Sequence, residues 1–407
     1  MKIAHFRKIL SAVILAALAI FTLAPVATPV ATAQDDHGLP AGLEAVAEKT
    51  LRTADGRLMV MIELTEAPVV VTEGGSVDPS VPASASAISR SAAIMRSQDA
   101  FVSQTAGMST GKFDVLGRTT YLINTVSLAV TEADLAKIAQ LSEVKNVFPV
   151  IEHQLDLGNA TGYTSTSAAW SLPGNYAGQG QVVAVIDSGV DFTNPDFGGN
   201  GAYPAGGPNS APRITAPTFG TFPLGAGTPL KVVGGYDYAG DSFTGSNVPA
   251  PDPNPIDCRP AEGGGHGTHV AGISAGYGVN GSTTYPGPWD STTPFASLNP
   301  APGFAPRAAL LAMRVFGCSG STTSVQVTAA MSDAVAGFVA SNPSITFPRA
   351  NVINMSLGSQ GGYGGDDGNI NPYVTAVANA MNAGTVVVMS AGNNGDTHFI
   401  TGSPGSS

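Results

Sequence analysis

Positive charge is scarce in this chain, with 18 lysines and arginines against 29 acidic residues in 407 positions. Three of those cations, Lys2, Arg7 and Lys8, stand in an acid-free N-terminal stretch, which leaves only 15 for everything after Ala33. A surface so poor in cations attracts neither a phosphate backbone nor an anionic bilayer, so nucleic acid and membrane-surface binding are disfavoured as functions. Cysteine occurs only at 258 and 318. In an oxidising compartment the two can form one bridge across the intervening segment, and two unpaired buried thiols are the alternative. After residue 24 no stretch is long and apolar enough to span a bilayer. What is abundant is glycine (50) and proline (30), with only 12% charged residues. That composition suits a loop-rich enzyme surface, and the length allows two or three domains with a sizeable core.

The first 33 residues have a basic start, an apolar stretch over Ile9–Ala24 and the small-residue exit A-T-A at 31–33. This pattern predicts a secretory signal cleaved near Ala33, hence a secreted, extracellular product with no membrane association after cleavage.

The densest chemical signal is Glu262–Gly272, E-G-G-G-H-G-T-H-V-A-G. Glycines at 263, 264, 265 and 267 let backbone come close to a partner, and they deliver His266 to the entrance of an apolar helical stretch. Histidine is the side chain best placed for general-base work near neutrality, but it needs an orienting carboxylate. Upstream, the apolar run within Gly180–Phe197 ends abruptly on Asp187. It reads as a buried parallel strand whose carboxyl end carries the acid, where functional residues of open α/β sheets gather.

With D-S-G at 187–189 and H-G-T-H-V-A-G at 266–272, the chain resembles the subtilisin-type serine proteases. V-I-N-M-S-L-G at 352–358 and V-V-V-M-S-A-G-N at 386–393 extend the resemblance in the right order. It implies an α/β fold, a parallel sheet with helices on both faces, and an endopeptidase acting on proteins or peptides. Asp187 and His266 would be two members of an Asp/His/Ser triad, and Asn393 the oxyanion-hole donor. Ser356, Leu357 and Gly358, with Ala391 and Gly392, would line the substrate. An acid at the offset of Asp196 helps hold a structural calcium in that family, so calcium enters as an expectation, while the chemistry requires no cofactor. His269 three residues after His266 invites a zinc reading, but no Glu or third histidine stands at metalloprotease spacing. His269 is therefore expected to be a packed residue of the helix. His153 and His398 read as solvated, and Asn394 as a turn residue.

The rest of that region alternates strand and helix: strands at 230–234, 308–316, 351–355 and 385–389, helices at 325–340 and 372–382. Three Gly- and Pro-rich stretches, 198–228, 239–265 and 277–306, read as long excursions. Between signal and site lies another unit, with strands at 58–64, 112–115, 119–130 and 144–150 and helices at 87–105 and from a Thr131 cap to Leu141. In the strand at 58–64 Leu58, Val60, Ile62 and Leu64 share a face. The order is ferredoxin-like, a small α+β unit over 57–150 with a loop at 74–86. Its place before a protease-like region is similar to that of the propeptide of secreted subtilisins, which assists folding and blocks the cleft. The division expected is signal 1–33, propeptide 34–155 and catalytic region 156–407, with the maturation cut between Glu152 and Asn159.

One part is missing. Subtilisin chemistry needs a serine in a G-T-S-M-A-like motif opening a later helix, and residues 1–407 contain none. Ser188 and Ser356 belong to other motifs, and no helix follows Ser406 or Ser407. Either the nucleophile lies beyond residue 407 and this chain alone is inactive, or the scaffold is a catalytically silent protein-binding module.

Overall fold

The computed structural model describes residues 39, 42–73, 83–155, 166–203, 217–359, 372–393 and 402–405. Only the unit over Leu39–Ser407 is considered below.

That unit begins with helix α1 (Leu43–Lys49) and strand β1 (Leu58–Leu64), then α2 (Val69–Glu73), the long α3 (Ala85–Met108), β2 (Asp114–Thr119), β3 (Thr125–Val130), α4 (Glu132–Ile138) and β4 (Val144–Pro149). Ser84 caps α3 by accepting from Ala87 N, and Thr131 caps α4 by accepting from Asp134 N. β1 to β4 form one antiparallel sheet in the order β2-β3-β1-β4, the ferredoxin-like arrangement the sequence pattern predicts. One sheet face buries Leu58, Val60, Ile62 and Leu64 against Phe101 of α3 and Leu135 and Ile138 of α4. The helix at 69–73 is absent from the sequence reading, and 74–82 of the predicted loop lie outside the described residues.

After a short strand β5 (Glu152–Leu155) and α5 (Thr166–Trp170), the chain lays down β6 (Val182–Asp187), β7 (Val232–Asp237), α6 (His266–Ala275), a hairpin of β8 (Val279–Asn280) and β9 (Thr283–Thr284), then β10 (Ala309–Arg314). There follow β11 (Thr322–Thr323), α7 (Ser324–Ala336), β12 (Phe338–Val339), β13 (Asn342–Thr346), β14 (Val352–Met355), β15 (Leu357–Gly358), α8 (Pro372–Asn382) and β16 (Val386–Met389). Five of these strands make a parallel sheet in the order β16-β14-β6-β10-β7.

Strand alternation sorts the apolar side chains into two layers. Val182, Ala184, Ile186, Leu311 and Met313 face α7 and α8. Val183, Val185, Leu310 and Ala312 face Val270, Ala271 and Ala275 of α6. Helices thus cover both faces, as expected of a parallel sheet. The excursion at 277–306 carries its own small core, where Tyr277, Tyr285, Trp289 and Leu298 pack with Trp170.

The other face of the antiparallel sheet lies on α7. Met59, Met61, Leu116, Ile123, Ala129, Phe148 and Val150 enclose Val325. Ser332 Oγ accepts from both Tyr121 N (3.2 Å) and Leu122 N (3.0 Å), and Asn379 of α8 donates to Leu122 O at 2.8 Å. The predicted single strand 119–130 is broken there: 120–124 form a turn whose apolar residues are buried by these helices. α7 also ends earlier than its apolar pattern predicts, because Gly337 takes a left-handed φ of 82° and turns the chain into β12.

Candidate active site

β6 ends on Asp187, whose side chain is fully buried. α6 begins with His266, 8% exposed, and its Nδ1 lies 2.8 Å from Asp187 Oδ1. An ionised carboxylate only accepts, so the proton of that bond is carried on Nδ1 and Nε2 keeps its lone pair. Burial pushes the Asp187 carboxyl up from its ordinary range, opposed first by its bond to His266. A donated hydrogen bond from Ser188 N, 2.7 Å from Oδ1, opposes it further.

The glycine run is needed for this approach. Gly263 and Gly265 adopt left-handed φ values of 93° and 97°, and a Cβ on Gly267 would stand 2.2 Å from Gly189 O and 3.0 Å from Asp187 Cβ. Gly264 presses on the preceding loop, where a Cβ would meet Cys258 O at 2.0 Å. That loop is tied down by a disulfide from Cys258 to Cys318, which decides between the two alternatives left open by the sequence.

The carboxyl ends of two neighbouring parallel strands, next to β6, carry the other expected residues. β14 leads into Ser356, Leu357 and Gly358, and β16 into Ala391, Gly392 and Asn393. Ser390 holds the two ends together, its N donating to Met355 O and its Oγ to Leu357 O. Ala391, Gly392 and Asn393 are exposed. The segment 402–405, unremarked in the sequence, joins this edge: Ser359 N donates to Ser403 O and Ser403 N to Ser359 Oγ.

Leu357 buries its side chain while its backbone pairs with Leu155, and Gly358 pairs with Gln154. On the other side of the same strand Thr322 pairs with His153 and Thr323 with Glu152. Residues 152–155 therefore lie as an extended antiparallel strand between β11 and β15. β11 was not recognised in the sequence, since two threonines carry no strand periodicity.

His269 is exposed, contrary to the packed position expected of it. The helix packs Val270, Ala271 and Ala275 onto the parallel sheet, which leaves His269 off that face, lining a pocket of about 460 Å³ with Asp191, Tyr203 and Arg259. Asp196 is buried, accepts from Gly278 N at 2.7 Å, and its carboxyl is pushed up to about 6 by burial. The charge opposing that shift is Lys231, whose Nζ donates to Pro306 O and Ala308 O. One carboxylate faced by an N–H and a lysine does not fit calcium, which takes six to eight oxygens. Among the described residues the single group of three potential metal ligands is Asp241, Cys258 and Cys318, and both of its sulfurs are in the disulfide. Asn394, His398, Ser406, Ser407 and the side chain of His153 lie outside the described residues.

The family model of the subtilases, peptidase S8, matches residues 178–407, more than half of the chain, with Asp187, His266 and the ends of β14 and β16 inside the match. The chain belongs to the subtilase family. Among its relatives, the minor extracellular protease Vpr of Bacillus subtilis is 28% identical over 301 residues, 69% of this chain and 28% of Vpr. A PII-type proteinase of Lactococcus lactis subsp. cremoris is 30% identical over 324 residues, 77% of this chain and 14% of the proteinase. This subtilase chain thus spans less than a third of either relative. Among solved structures, fervidolysin from Fervidobacterium pennivorans, described as a keratinolytic enzyme, covers 83% of the chain at 18% identity and a TM-score of 0.40. The epidermin leader peptide processing protease of Staphylococcus aureus covers 83% at 16% identity and a TM-score of 0.43. Both scores are too low to add to the assignment.

Proposed function

We propose that this chain is the N-terminal part of a secreted serine endopeptidase precursor: signal 1–33, propeptide 34–155 and the first part of the catalytic region from 156. The observation that carries the reading is the buried Asp187–His266 pair at the carboxyl edge of the parallel sheet. Asp187 holds the tautomer that leaves Nε2 free and stabilises the imidazolium once it forms. His266 takes the proton from the hydroxyl of a serine beyond residue 407 as that oxygen attacks the scissile carbonyl, then gives it to the leaving amine. The side-chain amide of Asn393 donates to the oxyanion of the tetrahedral intermediate. Ser356–Gly358 pair with the substrate backbone, and Ala391 and Gly392 border the residue next to the scissile bond. No step calls on a metal or other cofactor.

The strand at 152–155 supports a propeptide that occupies the cleft as a substrate does, pairing with β11 and β15 by main-chain bonds that any extended peptide can make. The fit of the antiparallel sheet on α7 supports its retention until cleavage. Secretion rests on the sequence of the first 33 residues, and no described helix is long and apolar enough to cross a membrane.

The test is hydrolysis of casein by the matured product of the gene read past codon 407. Activity that disappears in His266→Ala supports the reading. A mature product with no activity on any denatured protein leaves the scaffold as a binding module.

A further inference from the structure

Asp257 plays no part in the chemistry above, yet it is 1% exposed and nine positions upstream of His266. Its Oδ1 accepts from Ser188 Oγ at 2.9 Å. Its Oδ2 accepts from Thr268 N at 3.0 Å and Thr268 Oγ1 at 2.7 Å, and the carboxylate also takes the backbone N–H of Gly265. Ser188 Oγ in turn accepts from Gly267 N at 2.9 Å. Four donors thus converge on one acceptor-only group, about as many as a carboxylate can accommodate. Three of them come from Gly265 and Thr268, on either side of His266 in sequence, and the fourth from Ser188, the residue after Asp187.

The segment that carries Asp257 is itself pinned. Arg314, fully buried at the end of β10 and in register with Asp187, donates to Ile256 O, to Cys258 Sγ and to Asp241. The disulfide fixes Cys258 to Cys318, and Tyr203 Oη donates to Asp257 O. Val190 N donates to Pro255 O, and a Cβ on Gly189 would lie 2.9 Å from Asp257 N, so the segment is pressed against the turn that follows Asp187.

We propose that Asp257 is a positioning residue for the Asp187–His266 pair. It joins the first turn of α6 to the end of β6 from behind, so that the turn carrying His266 cannot withdraw from Asp187 without breaking bonds to a buried carboxylate. The inference rests on reading Asp187 and His266 as the acid–base pair, but its test does not require an active enzyme. Glu262, the acid nearest to His266 in sequence, accepts from Arg259 N at 3.3 Å and stands outside the Asp257 network among the described residues.

The experiment is NMR of the 407-residue chain with ¹⁵N-labelled histidine, the His266 signals being assigned by their loss in His266→Asn. Asp257→Asn keeps the shape but turns an NH₂ towards at least one donor. The expected result is loss or broadening of the low-field Nδ1–H proton and a downward move of the pH at which the His266 ring takes its proton, while Glu262→Gln changes neither. Thr268→Val, which removes one donor, is expected to give a smaller change of the same kind, and decides the matter if Asp257→Asn does not fold. A folded Asp257→Asn chain, or failing that a folded Thr268→Val chain, with the parent's His266 proton and titration overturns the proposal. In the complete enzyme the corresponding effect is on kcat, about a hundredfold for a displacement of about 1 Å, with KM held. A complete enzyme that proves inactive for want of a serine leaves the NMR outcome interpretable.

Discussion

Ser332→Ala tests how the antiparallel sheet is held on α7. The serine hydroxyl on α7 accepts from two main-chain N–H groups, those of Tyr121 and Leu122, in a turn that is buried at the junction. Removing the oxygen leaves both donors without their acceptor. An unsatisfied buried group costs about 1–3 kcal/mol, so the two together cost about 2 kcal/mol at the low end. At 1.4 kcal/mol per tenfold, that corresponds to about a 30-fold rise in the population of the undocked state. Hydrogen exchange read by mass spectrometry reports it directly: peptides covering 119–125 are expected to exchange about 30-fold faster, and those of β10 at the parent rate. Exchange at 119–125 within about threefold of the parent would mean that the turn is held by its apolar contacts alone. The hydrogen-bond part of the docking argument would then be wrong.

Three further outcomes follow from particular contacts. Gly117→Val places a Cβ 2.5 Å from Val325 Cγ1 and is expected to accelerate exchange across the same junction without unfolding the parallel sheet. Burial pushes the Asp333 carboxyl up to about 8, against bonds from Tyr238 Oη and Ala340 N. The folded chain therefore keeps this proton between about pH 4 and 8 while the unfolded chain releases it, so stability falls as pH rises through that window, by up to about 1.4 kcal/mol per unit. Asp333→Asn removes that slope, which urea unfolding of the two chains at pH 5 and pH 7.5 compares. In the complete enzyme Asp187→Asn is expected to lower kcat about 10⁴-fold, the scale seen when a triad carboxylate becomes an amide, with little change in KM.

The sequence was most legible where one local pattern sufficed. β6 ending on Asp187 and the glycine-delivered His266 are read directly, because an apolar run and a glycine cluster are local signals. The inner face of β1 was equally clear, but its burial on both faces was not, since Met59 and Met61 are covered by α7 from more than 260 residues away in the sequence. For the same reason 119–130 reads as one strand. Tyr121, Leu122 and Ile123 are apolar because their turn is covered by tertiary contacts, and strand periodicity cannot tell that from a continuous strand. Asp257 was invisible in a long Gly- and Pro-rich excursion, where nothing local distinguishes a buried acceptor of four hydrogen bonds from a solvated acid. His269 was misplaced because a motif shows spacing and leaves open which helix face is covered.

The central claim is that Asp187 and His266 serve a serine nucleophile. Its most direct measurement is fluorophosphonate labelling of the matured product of the gene read past codon 407. The account predicts one labelled serine downstream of residue 407, with labelling lost in His266→Ala. Translation that stops at Ser407, or an intact mature product that never takes the label, would contradict it.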